Sequence, residues 1–297
     1  MMMKKNKKKC VQLMRSNHHN YVEWFGPWLA GVIDGDGHFD VILRNQQWVL
    51  RQIRIKINVR DIRILTTIQN QLHFGRIRHE KNKPYCTYVV STQQHMAALV
   101  TLINGLIRLK VPAFQKACRF LNIQYLPADD VLKPMDPYFA GLIDSDGSIV
   151  FNYPGNRIEC HLEFKLTEFT NRLCLDHVVP NSKPSVYRRS KTNQIKGKKY
   201  QSIVFKYQTV SGMIWLYEYF MKCRLFCQMK FYRVSQIKRF LEIRHYQNSA
   251  KHSVEFQVYR DFLLNFIQYQ NPLWARIPFV TKYLGSLRHQ CEHKTAH

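Results

Sequence analysis

From Ile53 to Arg60 apolar and polar residues alternate without a break: Ile53-Arg54-Ile55-Lys56-Ile57-Asn58-Val59-Arg60. A period of two puts alternate side chains on opposite faces of a strand, so Ile53, Ile55, Ile57 and Val59 are expected to bury. Gln52, Arg54, Lys56, Asn58 and Arg60 then share an open face. The pattern returns at Arg157-Ile158-Glu159-Cys160-His161-Leu162-Glu163-Phe164-Lys165, which would expose Arg157, Glu159, His161, Glu163 and Lys165. A shorter stretch before each of these segments predicts a partner strand, carrying Asp40, Ile42, Arg44 and Gln46 in the first case and Asn152 in the second. Helical spacing predicts helices over 62–72 and 169–178, then 94–109, 115–125, 211–223, 230–244 and 253–270. Hairpins are expected over 75–91 and 185–209, with turns at Asn82-Lys83-Pro84 and at 193–197; Arg76, Arg78, Arg188 and Arg189 extend the two open faces.

The similarity between the two alternating segments extends to what precedes them. Trp28-Leu29-Ala30-Gly31-Val32-Ile33-Asp34-Gly35-Asp36-Gly37 recurs as Tyr138-Phe139-Ala140-Gly141-Leu142-Ile143-Asp144-Ser145-Asp146-Gly147. Internal repeats define architecture, and this one predicts a duplicated α+β fold of two pseudo-symmetric αββαββα units with antiparallel sheets. The halves are expected at 21–126 and 138–245, joined by a proline-bearing linker at 127–137 and followed by an extension at 246–297. Within each decapeptide a small residue recurs four positions on, Gly31 and Gly35 in one and Gly141 and Ser145 in the other. A small-residue stripe lets two helix backbones approach closely, so the motif helices are expected to pack against each other. Asp36 and Asp146 would then meet near the pseudo-twofold axis.

Charge narrows the function. The 297 residues carry 45 Lys and Arg against 20 Asp and Glu, a formal charge of +25, yet 45% of the chain is hydrophobic. That apolar content supports a packed core, so the charge belongs to a folded surface, and such a surface suits a polyanion. No apolar run is long enough for a membrane span. Residues 1–20 read as a basic arm, and the eight scattered cysteines read as reduced thiols. His18-His19-Asn20 lacks supporting ligands, and His289, Cys291, His293 and His297 lack zinc-site spacing.

Two carboxylates brought together at helix ends repel each other unless a cation lies between them, and hard oxygen donors suit Mg²⁺. Asp36 and Asp146 are therefore the candidate metal and catalytic residues, whereas Asp34 and Asp144 read as hydrogen-bonding groups that fix the helix ends. On the open faces, Arg suits guanine, Asn suits adenine and Glu can accept from cytosine N4.

Both decapeptides resemble the motif of the LAGLIDADG homing endonucleases in their two-motif, single-chain form, and the resemblance covers roughly residues 20–245. It implies a site-specific double-strand DNA endonuclease, encoded by an intron in a mitochondrial or chloroplast genome, whose sheets form a DNA-binding saddle. The chain would be a monomer with internal pseudo-dimer symmetry. The resemblance places divalent metal at Asp36 and Asp146, with the adjoining Gly35 and Ser145, and a basic residue on a later helix of each half. Lys230 fits that role in the second half; in the first, Lys110 is the choice and Lys116 competes, because Pro112 disturbs the pattern. Relatives of the family also act as maturases, so host intron RNA is the alternative partner.

Overall fold

The computed structural model describes residues 23–192, 197, 199–277 and 280. The basic arm, His18-His19-Asn20, most of the expected turn at 193–197, and His289, Cys291, His293 and His297 lie outside the described residues. The first half runs α1 (23–36), β1 (Gly37–Arg44), β2 (Gln47–Asn58), α2 (Arg63–Leu72), β3 (Arg76–His79), β4 (Tyr85–Val90), α3 (Gln93–Ile103) and α4 (Val111–Phe120). The second repeats it as α5 (Pro137–Ser145), β5 (Ser148–Asn152), β6 (Arg157–Lys165), α6 (Glu168–Arg172), β7 (Ser185–Thr192), β8 (Lys199–Tyr207), α7 (Met213–Lys222), α8 (Gln228–Ser235) and α9 (Ile237–Ile243). Each half forms a four-stranded antiparallel sheet, in the orders β1-β2-β4-β3 and β5-β6-β8-β7. The duplicated α+β fold expected from the repeat is the fold observed.

One apolar core runs through both halves, and the motif helices α1 and α5 lie in it with Phe25, Trp28, Leu29, Phe139, Leu142 and Ile143 fully buried. The stripe of small residues is where they cross. A Cβ placed on Gly31 would lie 2.1 Å from the Tyr138 carbonyl oxygen, and one on Gly141 would lie 2.0 Å from that of Trp28. Only hydrogen fits at either position. On the sheets, Ile53, Ile55 and Ile57 bury against helices, as do Ile158, Cys160, Leu162 and Phe164. α10 (Val254–Gln268) extends the core of the second half, its Phe266 ring 6.1 Å from Phe151 and its Phe262 ring 5.6 Å from Phe240.

Several elements depart from the expected bounds, each for a local reason. β2 stops at Asn58, whose side chain accepts from the Arg60 amide and turns the chain, so Val59 is 41% exposed rather than buried and Arg60 leaves the strand. Gln46 lies in the β1–β2 turn, where Asn45 and Gln46 have φ of 47° and 62°, as a two-residue type I′ hairpin requires. α3 ends at Ile103 because Gly105, at φ +82°, turns the chain. Pro112 opens α4 instead of disturbing it, since the first turn of a helix needs no amide from that residue. The helix expected over 169–178 shrinks to α6, because Cys174 and Val178 pair their backbones with Asp130, Leu132 and Met135 of the connecting segment. That segment is thus hydrogen-bonded along the second half. The helix expected over 230–244 is two, α8 and α9, meeting at Gln236. The six described cysteines form no disulfide.

Candidate active site

Each motif contributes two aspartates with different surroundings. Asp34 and Asp144 are each 3% exposed and saturated with donors. Asp34 accepts from the amides of Arg108 (2.7 Å), Leu109 (3.0 Å) and Lys110 (2.8 Å), which lead into α4. Asp144 accepts from the amides of Phe226 (2.9 Å) and Cys227 (2.8 Å), which lead into α8. Each also takes a donor from the opposite half: Tyr138 Oη reaches Asp34 at 2.7 Å, and Trp28 Nε1 reaches Asp144 at 2.9 Å. Trp28 and Tyr138 open the two copies of the motif, so the exchange is reciprocal and ties the halves together. Burial raises the carboxyl pKa of both residues, that of Asp144 to about 6, against the opposing pull of the amides.

These caps also seat the two lysines. Lys110 leads into α4, and its Nζ donates to the carbonyls of Gly35 and Gly37. Lys230 lies in the first turn of α8, and its Nζ donates to Ile143 O (2.7 Å), Asp144 O (2.8 Å) and Ser145 O (3.1 Å). An ammonium therefore sits at the carbonyl end of each motif helix, where the helix dipole is negative. Lys116 is elsewhere, its Nζ 3.7 Å from the centre of the Trp48 ring.

Asp36 ends α1, and Asp146 caps α5. They are close enough to interact: burial raises the Asp36 pKa to about 6, the Asp146 charge adds to the rise, and Lys230 and Lys110 oppose it. Burial likewise raises Asp146, against the same two lysines. A cavity of about 340 Å³ opens beside Asp36, lined by Lys230, Ser145, Asn58, Asp61 and Tyr85 among others. A second, of about 300 Å³, connects Asp36 to His38, Arg54, Lys56 and Thr87 on the open face of the first sheet. Among the described residues no three His, Cys, Asp or Glu side chains converge as a metal site. The available hard donors are the carboxylates of Asp36 and Asp146, that of Asp61 across the cavity, and neighbouring carbonyls, of which those of Gly35 and Ser145 already accept from a lysine.

Asp34→Ala and Asp144→Ala should each lower unfolding free energy by about 2–4 kcal/mol, because a cap is lost and buried donors are stranded. Chemical denaturation measures this; an effect below about 0.5 kcal/mol at both positions would contradict the capping role.

The register gathers Gln52, Arg54, Lys56, Arg76 and Arg78 onto the open face of the first sheet, with Asp40, Ile42 and Arg44 beside them. It adds His38 and Thr87, which the sequence reading missed. On the second sheet Arg189 shares a row with Lys165, and Lys206 and Tyr187 join the face; both were missed. Arg188 does not belong there: alternation turns it to the helix side, where it donates to Asn171 at 2.7 Å. The acids on these faces are not free to accept from bases. Glu159 is 1% exposed and accepts from Asn152, Arg157 and His161, Glu163 pairs with Lys191 and Ser202, and Asp40 pairs with Arg51 and Gln52.

Residues 29–120 match the family described as LAGLIDADG endonuclease. The intron-encoded RNA maturase bI4 of Saccharomyces cerevisiae is 30% identical over 156 residues, which are 50% of this chain and 24% of that protein, so the chain spans about a quarter of its length. The intron-encoded DNA endonuclease ai2a of Dictyostelium discoideum is 25% identical over 258 residues, 86% of this chain and 77% of that one. Among solved structures, the LAGLIDADG homing endonuclease I-GzeII in complex with its DNA target shares the fold, with a TM-score of 0.52 and 13% identity over 82% of this chain and 99% of that one. Residues 29–120 thus carry the match to the LAGLIDADG endonuclease family, and the second motif and second sheet repeat the pattern of that segment in a chain similar to intron-encoded proteins.

Proposed function

We propose that the chain is a site-specific endonuclease that hydrolyses both strands of a DNA target, with divalent metal, Mg²⁺ above all, held at Asp36 and Asp146. The observation that carries this reading is the convergence of two carboxylates, one from each half, at the inner ends of two cationic sheets. Burial raises both carboxyl pKa values and the Asp146 charge adds to the rise at Asp36; a hard cation held between the two would offset both effects. When bound, the cation supplies Lewis acidity and lowers the pKa of water near a phosphodiester. Lys110 and Lys230 keep an ammonium on each side of that point, where it offsets charge gathering on the phosphate oxygens. The sheet faces hold the duplex in register through phosphates and read base edges through Arg, Lys, Asn and Gln donors.

No helix among the described residues is long and apolar enough to cross a membrane. Intron-encoded relatives support an organellar intron, mitochondrial or chloroplast, as the source of the reading frame. The test is to incubate the purified chain with Mg²⁺ and DNA spanning the joined exons. Cleavage of both strands is expected in Mg²⁺ and none in EDTA. Binding should weaken about 10³- to 10⁵-fold between 50 and 200 mM salt if six to ten phosphates are neutralised. Absence of cleavage together with a flat salt response would overturn the reading. The similarity to the bI4 maturase supports a second one, in which the same basic surfaces hold the host intron RNA. Splicing assistance that survives Asp36→Asn would assign that activity to binding alone.

A further inference from the structure

Asp40 and Glu159 occupy one ladder position in the two halves. Asp40 lies opposite Gln52 in the β1–β2 pairing, and Glu159 lies opposite Val150 in the β5–β6 pairing. Asp40 and Val150 are each the third residue after the closing glycine of their motif, Gly37 and Gly147. The cross-strand position therefore carries one acid in each half, on opposite strands. Both acids are buried among basic neighbours on a face that meets a polyanion, where a free carboxylate would only repel.

Neither is free. Glu159 accepts from Arg157 Nε (2.6 Å), His161 Nε2 (2.6 Å) and Asn152 Nδ2 (2.7 Å). Asp40 accepts from one Arg51 guanidinium nitrogen at both oxygens (2.9 and 3.0 Å) and from Gln52 Nε2 (3.1 Å), with Arg54 4.0 Å away. We propose that Asp40 and Glu159 are specificity-determining positioning residues: each fixes a set of donor side chains in the geometry that reads base edges at one of two symmetry-related places in the target. The inference rests on the DNA-cleaving reading above and adds to it which positions are read most sharply, and why.

The physical reason is preorganisation. A lone arginine on a strand has many rotamers and grips any phosphate; one whose Nε is pinned to a carboxylate keeps its remaining donors in a fixed fork. At His161, Nε2–H donates to the carboxylate, and in the neutral ring that tautomer leaves Nδ1 as an acceptor, which suits the amino group of adenine or cytosine. Burial, which lowers the His161 pKa, supports that neutral form. Strands rise about 3.3 Å per residue, and Asp40 lies a few residues from Asp36, so the affected base pairs should fall about 3–5 steps from the centre of the site at ~3.4 Å per step.

The test is selection from a randomised duplex library by the full chain, in EDTA so that bound DNA survives, followed by sequencing. Wild type is compared with Glu159→Gln, Asp40→Asn, Arg157→Gln and, as a control away from both sheet faces, Glu242→Gln, whose carboxylate pairs with Arg239 on α9. Glu159→Gln should flatten base preference about 5- to 100-fold at one short block of positions and leave the rest of the site intact. Arg157→Gln should flatten positions within the same block, Asp40→Asn the block mirrored across the centre, and Glu242→Gln neither. Undiminished preference in both acid variants, or an even loss along the whole site, overturns the inference while leaving the endonuclease reading in place. A wild type that selects no sequence at all overturns both. Should one acid variant fail to fold, the other half carries the same prediction independently.

Discussion

Asp36→Asn and Asp146→Asn are each expected to lower double-strand cleavage by about 10²- to 10⁴-fold while leaving DNA affinity within a few-fold of wild type. Asparagine keeps the shape and one acceptor oxygen of each residue but removes the charge that would hold a cation. Neither residue supports the fold as Asp34 and Asp144 do: no helix cap or interhelical hydrogen bond depends on either side chain among the described contacts. Taking a negative charge from a site that must admit phosphate should, if anything, tighten binding. The decisive comparison is single-turnover cleavage against gel-shift affinity on one DNA. Intact cleavage in either variant would dismiss the metal assignment, and equal loss of binding and cleavage would mean that the residue holds the structure instead. Acid pH provides an independent reading. Asp36 binds its proton up to about pH 6, so below that value protons compete with metal, and the Mg²⁺ concentration for half-maximal cleavage should rise as pH falls. A requirement that stays constant from pH 8 to pH 5.5 would contradict a carboxylate ligand of this kind.

The contrast between the two aspartates of each motif marks what local sequence could and could not convey. The decapeptide repeat, the buried parity of Ile53, Ile55 and Ile57 and the crossing of small-residue helices were legible, because each rests on a period read along one segment. Cross-strand neighbours were not. In β8 the run Ile203-Val204-Phe205 contains no alternation, so nothing along the chain says that Lys206 faces outward; the pairing of Lys206 with His161 does. Tyr88-Val89-Val90 in β4 conceals Thr87 in the same way. Arg188 and Arg189 were both assigned to the open face although neighbours on a strand must point apart. Glu159 and Glu163 appeared as base acceptors because cross-strand donors, Asn152 and Ser202, come from residues whose proximity only the folded ladder reveals. Lys110 meets the carbonyl end of the motif helix, and what seats it there, the Asp34 cap on its backbone amide, spans more than seventy residues of sequence and is invisible to any local pattern.

The strongest structural effect should come from one methyl group. Gly31→Ala and Gly141→Ala each place a Cβ about 2 Å from a backbone carbonyl oxygen of the opposite motif helix. Neither neighbour is a flexible side-chain end, so the helices themselves must separate by more than 1 Å before an ordinary contact is restored. Separation stretches Trp28 Nε1 to Asp144 and Tyr138 Oη to Asp34, and those acids seat the segments carrying Lys230 and Lys110. Stability should fall by about 3–5 kcal/mol, and cleavage should fall further than the folded fraction, since Asp36 and Asp146 are displaced with their helices. Gly26→Ala is the matched control. It lies in the same helix, its new Cβ would meet Leu106 and Leu102 atoms only at 3.5–3.7 Å, and alanine favours a helix over glycine by about 1 kcal/mol, so this variant should be neutral or more stable. Denaturant midpoints of the three proteins decide the matter. If Gly31→Ala and Gly141→Ala follow Gly26→Ala, the close crossing is not what joins the halves; if they part from it, the same glycines that let the helices meet also bring the two carboxylates together.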